Sequence, residues 1–155
     1  MTTRPDWHTY FMDFARLAQR RSVCLRRKVG AVIVRDRMVM ATGYNGVPKG
    51  ITHCDQVGCL RDELGVPSGQ RHELCRGLHA EQNAIIQAAY HGVKISGGDM
   101  YCTFRPCLIC LKMIINAGLK RVFYLAEYDD PMVSDMAAEA GLELIHLKEA
   151  DGGEP

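Results

Sequence analysis

Two short segments of the sequence carry residue types that can hold a metal ion and move protons. The first contains His79 and Glu81, and the second contains Cys107 and Cys110 directly after Pro106. One imidazole and two thiolates form a ligand set found in catalytic zinc sites, where a fourth position stays open for water. A carboxylate beside such a site can act as general base and general acid. The segments therefore predict a zinc centre with ligands His79, Cys107 and Cys110 and with Glu81 as the proton carrier.

The spacing within each segment restricts its local structure. Residues two apart point to different sides of a helix interior, so His79 and Glu81 can share a pocket only in the first turn of a helix. Cys107 and Cys110 are three apart and lie on one helical face. Pro106 fits the first helical turn, where a missing N–H group costs nothing, and a helix N-terminus favours thiolate over thiol. We therefore expect each segment to begin a helix.

The combination of the two segments is more specific than either one alone. An isolated H-x-E or C-x-x-C occurs by chance in many proteins, but H-x-E followed by P-C-x-x-C is the signature of zinc nucleobase deaminases. In these residues the chain resembles the cytidine/deoxycytidylate deaminase superfamily, and the resemblance runs from about Trp7 to Leu147. It is similar to the deoxycytidylate branch in the segments Val29-Gly30-Ala31, Gly43-Tyr44-Asn45-Gly46 and His79-Ala80-Glu81-Gln82-Asn83-Ala84-Ile85.

The resemblance implies an activity, namely the hydrolytic deamination of deoxycytidylate (dCMP) to dUMP and ammonia, which supplies dUMP for dTMP synthesis. Zinc would lower the pKa of its bound water toward neutrality. Glu81 would take a proton from that water, deliver it to the ring N3 and later protonate the departing amine. The backbone N–H of Ala80 is a candidate donor near the developing charge.

The rest of the nucleotide needs its own contacts. By the resemblance Asn45 contacts the sugar, although Asn45-Gly46 is also typical of a simple turn. The phosphate needs a cation or several donors, and our candidates are Arg26, Lys28, Tyr124 and Tyr128. Basic residues near position 26 are equally typical of a solvated helix C-terminus, so this assignment stays open.

The remaining cysteines suggest a second metal site. Cys102 lies in an apolar segment and is most simply a buried core thiol. Four cysteines could close a structural zinc site, with His72 as a substitute ligand: Cys24, Cys54, Cys59 and Cys75. Some phage and bacterial members of the resembled branch carry a second zinc, and Cys24 and Cys54 match its ligand positions best. The alternative is a set of scattered free thiols.

Hydrophobic patterning predicts an α/β fold. Asp6 can cap a first helix that runs to about Arg21, and two β-branched or apolar runs after it predict a hairpin. A Gly-rich, Cys-bearing segment at about 44–78 has no hydrophobic periodicity, which predicts a long loop insertion held in place by a bound metal ion. The order α-β-β-α-β-α-β-α-β predicts a three-layer α/β/α fold with a five-stranded mixed sheet, as in cytidine deaminases. The expected later elements are helices at 78–90, 106–117 and 132–140 and strands at 100–104, 121–125 and 142–147.

Size and charge limit the class of protein. A chain of 155 residues with a net charge of +1 fits one domain over residues 1–155 and lacks the basic excess of proteins that bind duplex nucleic acid. Neither a signal peptide nor a membrane span is apparent, so we expect a cytoplasmic protein with no membrane partner. The resemblance adds a homo-oligomer and regulation by dCTP or dTTP as expectations.

Other functions remain as alternatives. Another zinc deaminase could act on free cytidine, guanine, a pterin-pathway intermediate or a tRNA or DNA base. A non-catalytic zinc-binding module is a rival from a different class, but such modules usually pair two C-x-x-C knuckles, and only one is present here.

Overall fold

The computed structural model describes residues 3–127 and 129–148. The candidate Tyr128 therefore lies outside the described residues. The helices are α1 Trp7–Gln19, α2 Cys54–Val57, α3 Leu60–Glu63, α4 Ala80–His91, α5 Leu108–Asn116 and α6 Pro131–Ala140, with a single 3-10 turn at His72–Leu74. The strands are β1 Gly30–Arg35, β2 Met38–Tyr44, β3 Asp99–Phe104, β4 Arg121–Ala126 and β5 Glu143–His146.

The five strands form one mixed sheet in the order β2-β1-β3-β4-β5. Strand β1 pairs antiparallel with both β2 and β3, whereas β3, β4 and β5 are parallel. The β1–β2 hairpin turns at Asp36 and Arg37, whose φ values of 52° and 58° suit the two-residue turns that match strand twist. The parallel pairs are joined by α5 and α6, as parallel strands need crossover connections.

Helices cover both faces of the sheet and make three layers. Successive residues of β1 alternate between the two cores, with Val32 and Val34 under α1 and Ala31 and Ile33 under the other helices. Helix α1 begins where the Asp6 carboxylate accepts a hydrogen bond from the Thr9 N–H at 2.8 Å. The second face is covered by α4, α5 and α6, whose core residues include Ala84, Ala88, Leu111, Ile114, Val133 and Ala137. The predicted three-layer α/β/α fold and mixed sheet are confirmed.

The insertion at 44–78 is more ordered than the sequence suggests. We expected a loop, but the segment contains α2, α3 and the 3-10 turn at His72–Leu74. Its two ends are joined by paired backbone hydrogen bonds between Gly46 and Leu78, at 3.1 and 2.8 Å. These elements are four residues or shorter, too short to produce a visible periodicity.

No helix in the described ranges is both long enough and apolar enough to cross a membrane.

Candidate active site

The first turn of α4 carries the first half of the site. His79 is the N-cap residue and Glu81 is the second residue of the helix, as their spacing required. The Gln82 side-chain oxygen accepts a hydrogen bond from the His79 N–H at 2.7 Å and fixes the helix start. The helix lies against β2 at Gly43, where a Cβ atom would come within 2.2 Å of the Ala80 carbonyl oxygen. Glycine at this position therefore allows the start of α4 to lie this close to β2.

The start of α5 carries the second half. Cys107 is the N-cap residue, and Cys110 lies in the first turn. Our expectation that Pro106 occupies the first turn was wrong, because the helix begins at Leu108 and Pro106 precedes the cap. Proline still suits this place, since its fixed φ favours the extended entry into a helix.

The ligand atoms of the two halves converge. The His79 Nδ1 atom lies 3.4 Å from Cys107 Sγ and 3.3 Å from Cys110 Sγ. A tetrahedral zinc ion with ordinary Zn–N and Zn–S bonds would set these separations at about 3.6 Å. Within the part of the chain that the structure describes, this is the only group of three His, Cys, Asp or Glu ligand atoms that all lie within 4.8 Å. The donor set and its spacing fit zinc.

Burial and neighbouring charges alter the protonation of the site. Burial raises the pKa of Glu81, which is only 4% exposed and has its Oε2 atom 3.6 Å from Cys110 Sγ. A hydrogen bond from Cys110, aided by His79, lowers the pKa of Cys107 to about 3. The lowered pKa favours the thiolate form of Cys107, the form in which cysteine binds zinc, and Glu81 can hold a proton more readily than a solvated carboxylate.

A cavity of about 770 Å³ opens onto this cluster. The metal-site residues His79, Glu81 and Cys107 form part of its wall, and the 44–78 insertion forms another part. Ligand pockets for small molecules typically have volumes of about 300–1,000 Å³. The cavity is therefore large enough for a nucleotide.

The candidate substrate-binding residues differ in their positions. Asn45, Ala80 and Arg26 line the cavity. The Asn45 side chain is already engaged, because Oδ1 accepts from the Val29 N–H at 2.8 Å and Nδ2 donates to the Arg27 carbonyl at 2.7 Å. One amide hydrogen and one lone pair remain for a ligand.

Two other phosphate candidates lie away from the cavity wall. Neither Lys28 nor Tyr124 is among the described residues that line it. The Tyr124 hydroxyl donates to the Glu127 carboxylate at 3.0 Å, and Glu127 does line the cavity. Tyr124 could therefore affect a ligand through Glu127 or through Arg105, whose guanidinium lies over the Tyr124 ring and which also lines the cavity.

The four remaining cysteines lie along the same cavity. Burial raises the pKa of the Cys54 thiol, and the neighbouring thiols Cys75, Cys24 and Cys59 raise it further. The four are near enough to interact electrostatically, but their sulfur atoms do not form a group as tight as the one at His79.

His72 lies next to the predicted catalytic centre. Its ring packs edge-on against the His79 ring, with 4.9 Å between centroids, and its Nδ1 atom is buried with no hydrogen-bond partner among the described residues.

Sequence reasoning did not predict that Arg61 belongs to the cavity. It lies in α3 within the charged triplet Arg61-Asp62-Glu63, which is typical of a solvated surface, yet it is 8% exposed and lines the cavity. Nothing in the sequence pattern distinguishes it from the other arginines of the chain.

The family follows from a match that covers most of the chain. A family model for the zinc-binding region of cytidine and deoxycytidylate deaminases matches residues 5–126. The chain therefore belongs to the cytidine and deoxycytidylate deaminase family. Family and donor set together identify the metal as zinc.

Several relatives are deoxycytidylate deaminases. The enzyme of Schizosaccharomyces pombe is 41% identical over 142 residues, which is 91% of this chain and 44% of that protein. The enzyme of Mycobacterium phage D29 is 39% identical over 130 residues, or 81% of this chain and 98% of that protein. The chain thus spans less than half the length of the fission-yeast relative but nearly all of the phage relative.

A solved structure shares the fold. The crystal structure of dCMP deaminase from the cyanophage S-TIM5, in complex with dCMP and dUMP, matches with a TM-score of 0.77 and 34% sequence identity. The match covers 94% of this chain and 100% of that chain.

Proposed function

We propose that this chain is a zinc-dependent deaminase that hydrolyses dCMP to dUMP and ammonia. The convergence of His79, Cys107 and Cys110 within 4.8 Å, with the buried Glu81 carboxylate beside them, is the observation that carries the proposal. Similarity to deoxycytidylate deaminases over more than four-fifths of the chain supports dCMP as the substrate. The cyanophage protein of the same fold binds both dCMP and dUMP.

The chain's own residues account for the proton transfers of the reaction. Zinc, when bound by His79, Cys107 and Cys110, would act as a Lewis acid that makes the attacking water easier to deprotonate. Glu81 accepts a proton from the attacking water and donates it to N3 of the cytosine ring as oxygen adds to C4. Glu81 then takes the second proton of that oxygen and transfers it to the amine, so that ammonia leaves and a carbonyl forms at C4.

The position and environment of Glu81 suit this role. It is the second residue of α4, next to the ligand His79, so it reaches the metal cluster without being one of its three ligands. A raised pKa brings a carboxylate closer to the operating pH, where a group that must accept and donate in turn is most effective. The Ala80 N–H, at the first helical position, is a candidate donor to the oxygen on C4.

The charge of the cavity wall favours an anionic ligand. Five arginines and three carboxylates line it, although the whole chain has a net charge of only +1. One of these carboxylates, Asp62, is paired with Arg26, and Glu81 belongs to the metal site. A nucleotide with a phosphate therefore suits the cavity better than an uncharged nucleoside.

A substrate panel tests this proposal. We would incubate the zinc-loaded protein with dCMP, CMP, deoxycytidine and dCTP separately and follow the loss of cytosine absorbance. We expect fast turnover of dCMP and much slower turnover of deoxycytidine. Turnover of deoxycytidine at the same rate as dCMP would contradict recognition of the phosphate, and no turnover of any of the four would overturn the substrate class.

We also propose a second, structural zinc bound by Cys24, Cys54, Cys59 and Cys75. Two observations support it: all four thiols line the cavity and the other three raise the pKa of Cys54, and an insertion with such short helices needs a further anchor. His72, our substitute ligand, is less suitable because it packs on His79. Metal analysis should give two zinc ions per chain in the wild type and one in Cys54→Ser. A single zinc in the wild type, with all four thiols titrating freely, would contradict the second site.

The remaining expectations concern the organisation of the protein. We propose that residues 1–155 form one deaminase domain with an insertion at 44–78, and that it works in the cytoplasm, where its thiolate ligands stay reduced. We also propose a homo-oligomer regulated by dCTP or dTTP. The exposed Trp7, Tyr10 and Leu17 of α1 are 40%, 42% and 58% exposed and would suit an interface. Light scattering with and without each triphosphate would test both the assembly and its response.

A further inference from the structure

The Arg61 side chain is a buried cation for which the described residues supply no partner. The residue is only 8% exposed, and its Nε atom is buried. Among the residues that the structure describes, Nε has no hydrogen-bond acceptor and the guanidinium forms no ion pair. Burying an uncompensated charge is costly, so proteins normally do so where a counter-ion or an anionic ligand completes the environment.

The other arginines of the cavity wall are already engaged. Arg26 donates to the Val66 carbonyl at 2.7 Å and pairs with Asp62 at 3.2 Å. Arg27 lies 4.0 Å above the centre of the Phe104 ring.

The last two arginines of the wall have protein partners as well. Arg105 donates to the Ser134 hydroxyl, and Arg76 is exposed and donates to the Thr52 carbonyl at 3.2 Å. Among the described residues, Arg61 is thus the arginine of the wall that has no hydrogen-bond, ion-pair or ring partner.

Arg61 also shares its cavity with the predicted reaction centre. His79, Glu81 and Cys107 of that centre line the cavity together with Arg61. A ligand with its ring at the zinc centre and an anionic group a few bonds away could reach both. A planar guanidinium with several free donors matches a phosphate group in geometry and in charge.

We propose that Arg61 binds the 5′-phosphate of the nucleotide and thereby sets the preference for a nucleotide over a nucleoside. The inference rests on the proposed function for the identity of the nucleotide. It assigns to the 44–78 insertion a direct part in substrate selection, because Arg61 belongs to α3 of that insertion.

The test compares Arg61→Gln and Arg61→Lys with the matched control Arg71→Gln. Arg71 is an exposed arginine of the same insertion that pairs with Glu73 and does not line the cavity. For each zinc-loaded protein we would measure kcat and KM for dCMP, the affinity for dUMP and for deoxyuridine by calorimetry, and the zinc content.

For Arg61→Gln we expect kcat/KM for dCMP and the affinity for dUMP to fall by about 100-fold, as for the loss of hydrogen bonds to a charged group. The affinity for deoxyuridine and the zinc content should stay unchanged. For Arg61→Lys we expect values between those of the wild type and Arg61→Gln, because the point charge of an ammonium replaces the bidentate guanidinium. Arg71→Gln should behave as the wild type.

Two results would overturn the inference. In one, Arg61→Gln binds dUMP as tightly as the wild type. In the other, dUMP and deoxyuridine lose affinity equally, which would mean that Arg61 only supports the fold around His79. If neither Arg61 variant folds, titration of the wild type decides: the Arg61 Nε–H resonance should shift with dUMP and not with deoxyuridine, and an unshifted resonance overturns the inference.

Failure of the proposed function gives a different result. In that case the wild type would not turn over dCMP at all, whereas its binding of dUMP would still report on Arg61.

Discussion

At the scale of single residues, the site depends on a carboxylate that is buried but not used as a ligand. Glu81 is 4% exposed and lies 3.6 Å from Cys110 Sγ, yet the compact ligand group contains only His79, Cys107 and Cys110. Burying a carboxyl group in the core lowers the stability of the fold, so a buried carboxyl with no function would be unfavourable. The proton-carrier role that we propose for Glu81 would account for its burial beside the metal site.

Replacing Glu81 by Gln should separate metal binding from turnover. The amide keeps the shape of the side chain but cannot accept and release a proton, so we expect kcat to fall by at least about 1,000-fold with zinc content unchanged. Metal analysis and dCMP turnover on the same preparation measure both quantities. A variant that retains most of the wild-type kcat would show that Glu81 is not the proton carrier, and one that loses its zinc would show that Glu81 is needed to form the site.

At the scale of elements, the starts of α4 and α5 meet at the predicted metal cluster. The sequence predicted both starts to within about two residues, because the H-x-E spacing needs an N-terminal turn and Pro106 indicates a helix start; the predicted ligands His79 and Cys107 are both N-caps. What spacing could not predict is how closely α4 approaches the sheet. That depends on Gly43, where the Ala80 carbonyl would come within 2.2 Å of a Cβ atom.

Gly43→Ala should move the start of α4 away from β2. The clash is with backbone atoms, so the helix must shift, and overpacking of this kind lowers the free energy of unfolding by about 1–3 kcal/mol. Because His79 moves with the helix, zinc affinity should fall as well. Gly46→Ala is the control, since its Cβ would meet only the Tyr44 ring at 3.5 Å.

Denaturant unfolding and competition for zinc with a chelator measure the two effects. If Gly43→Ala and Gly46→Ala unfold at the same denaturant concentration and hold zinc equally well, the close approach of helix and sheet does not control the site.

At the scale of the whole molecule, the 44–78 insertion forms part of the cavity wall over the metal cluster. The sequence predicted the five strands and four longer helices because buried elements of that length show apolar patterning. It did not predict the short helices of the insertion or the burial of Arg61, because a charged triplet looks the same whether it is solvated or folded over a cavity. Arg26 ties the insertion down through Asp62 and the Val66 carbonyl.

Loss of that tie should loosen the insertion. In Arg26→Gln we expect amide hydrogen exchange over residues 60–66 to quicken by about 10-fold, as for one lost hydrogen bond to a charged group, while exchange in the sheet stays unchanged. Arg71→Gln is the control, because its pair with Glu73 is exposed. Equal exchange in the two variants would mean that other contacts hold the insertion in place.

The most direct test of the whole account measures product and metal together. Zinc-loaded protein should convert dCMP to dUMP with one ammonia released per dUMP, lose this activity when a chelator removes the zinc, and regain it when zinc is returned. Protein that holds zinc at His79, Cys107 and Cys110 but releases no ammonia from dCMP would contradict the proposal that this site deaminates dCMP.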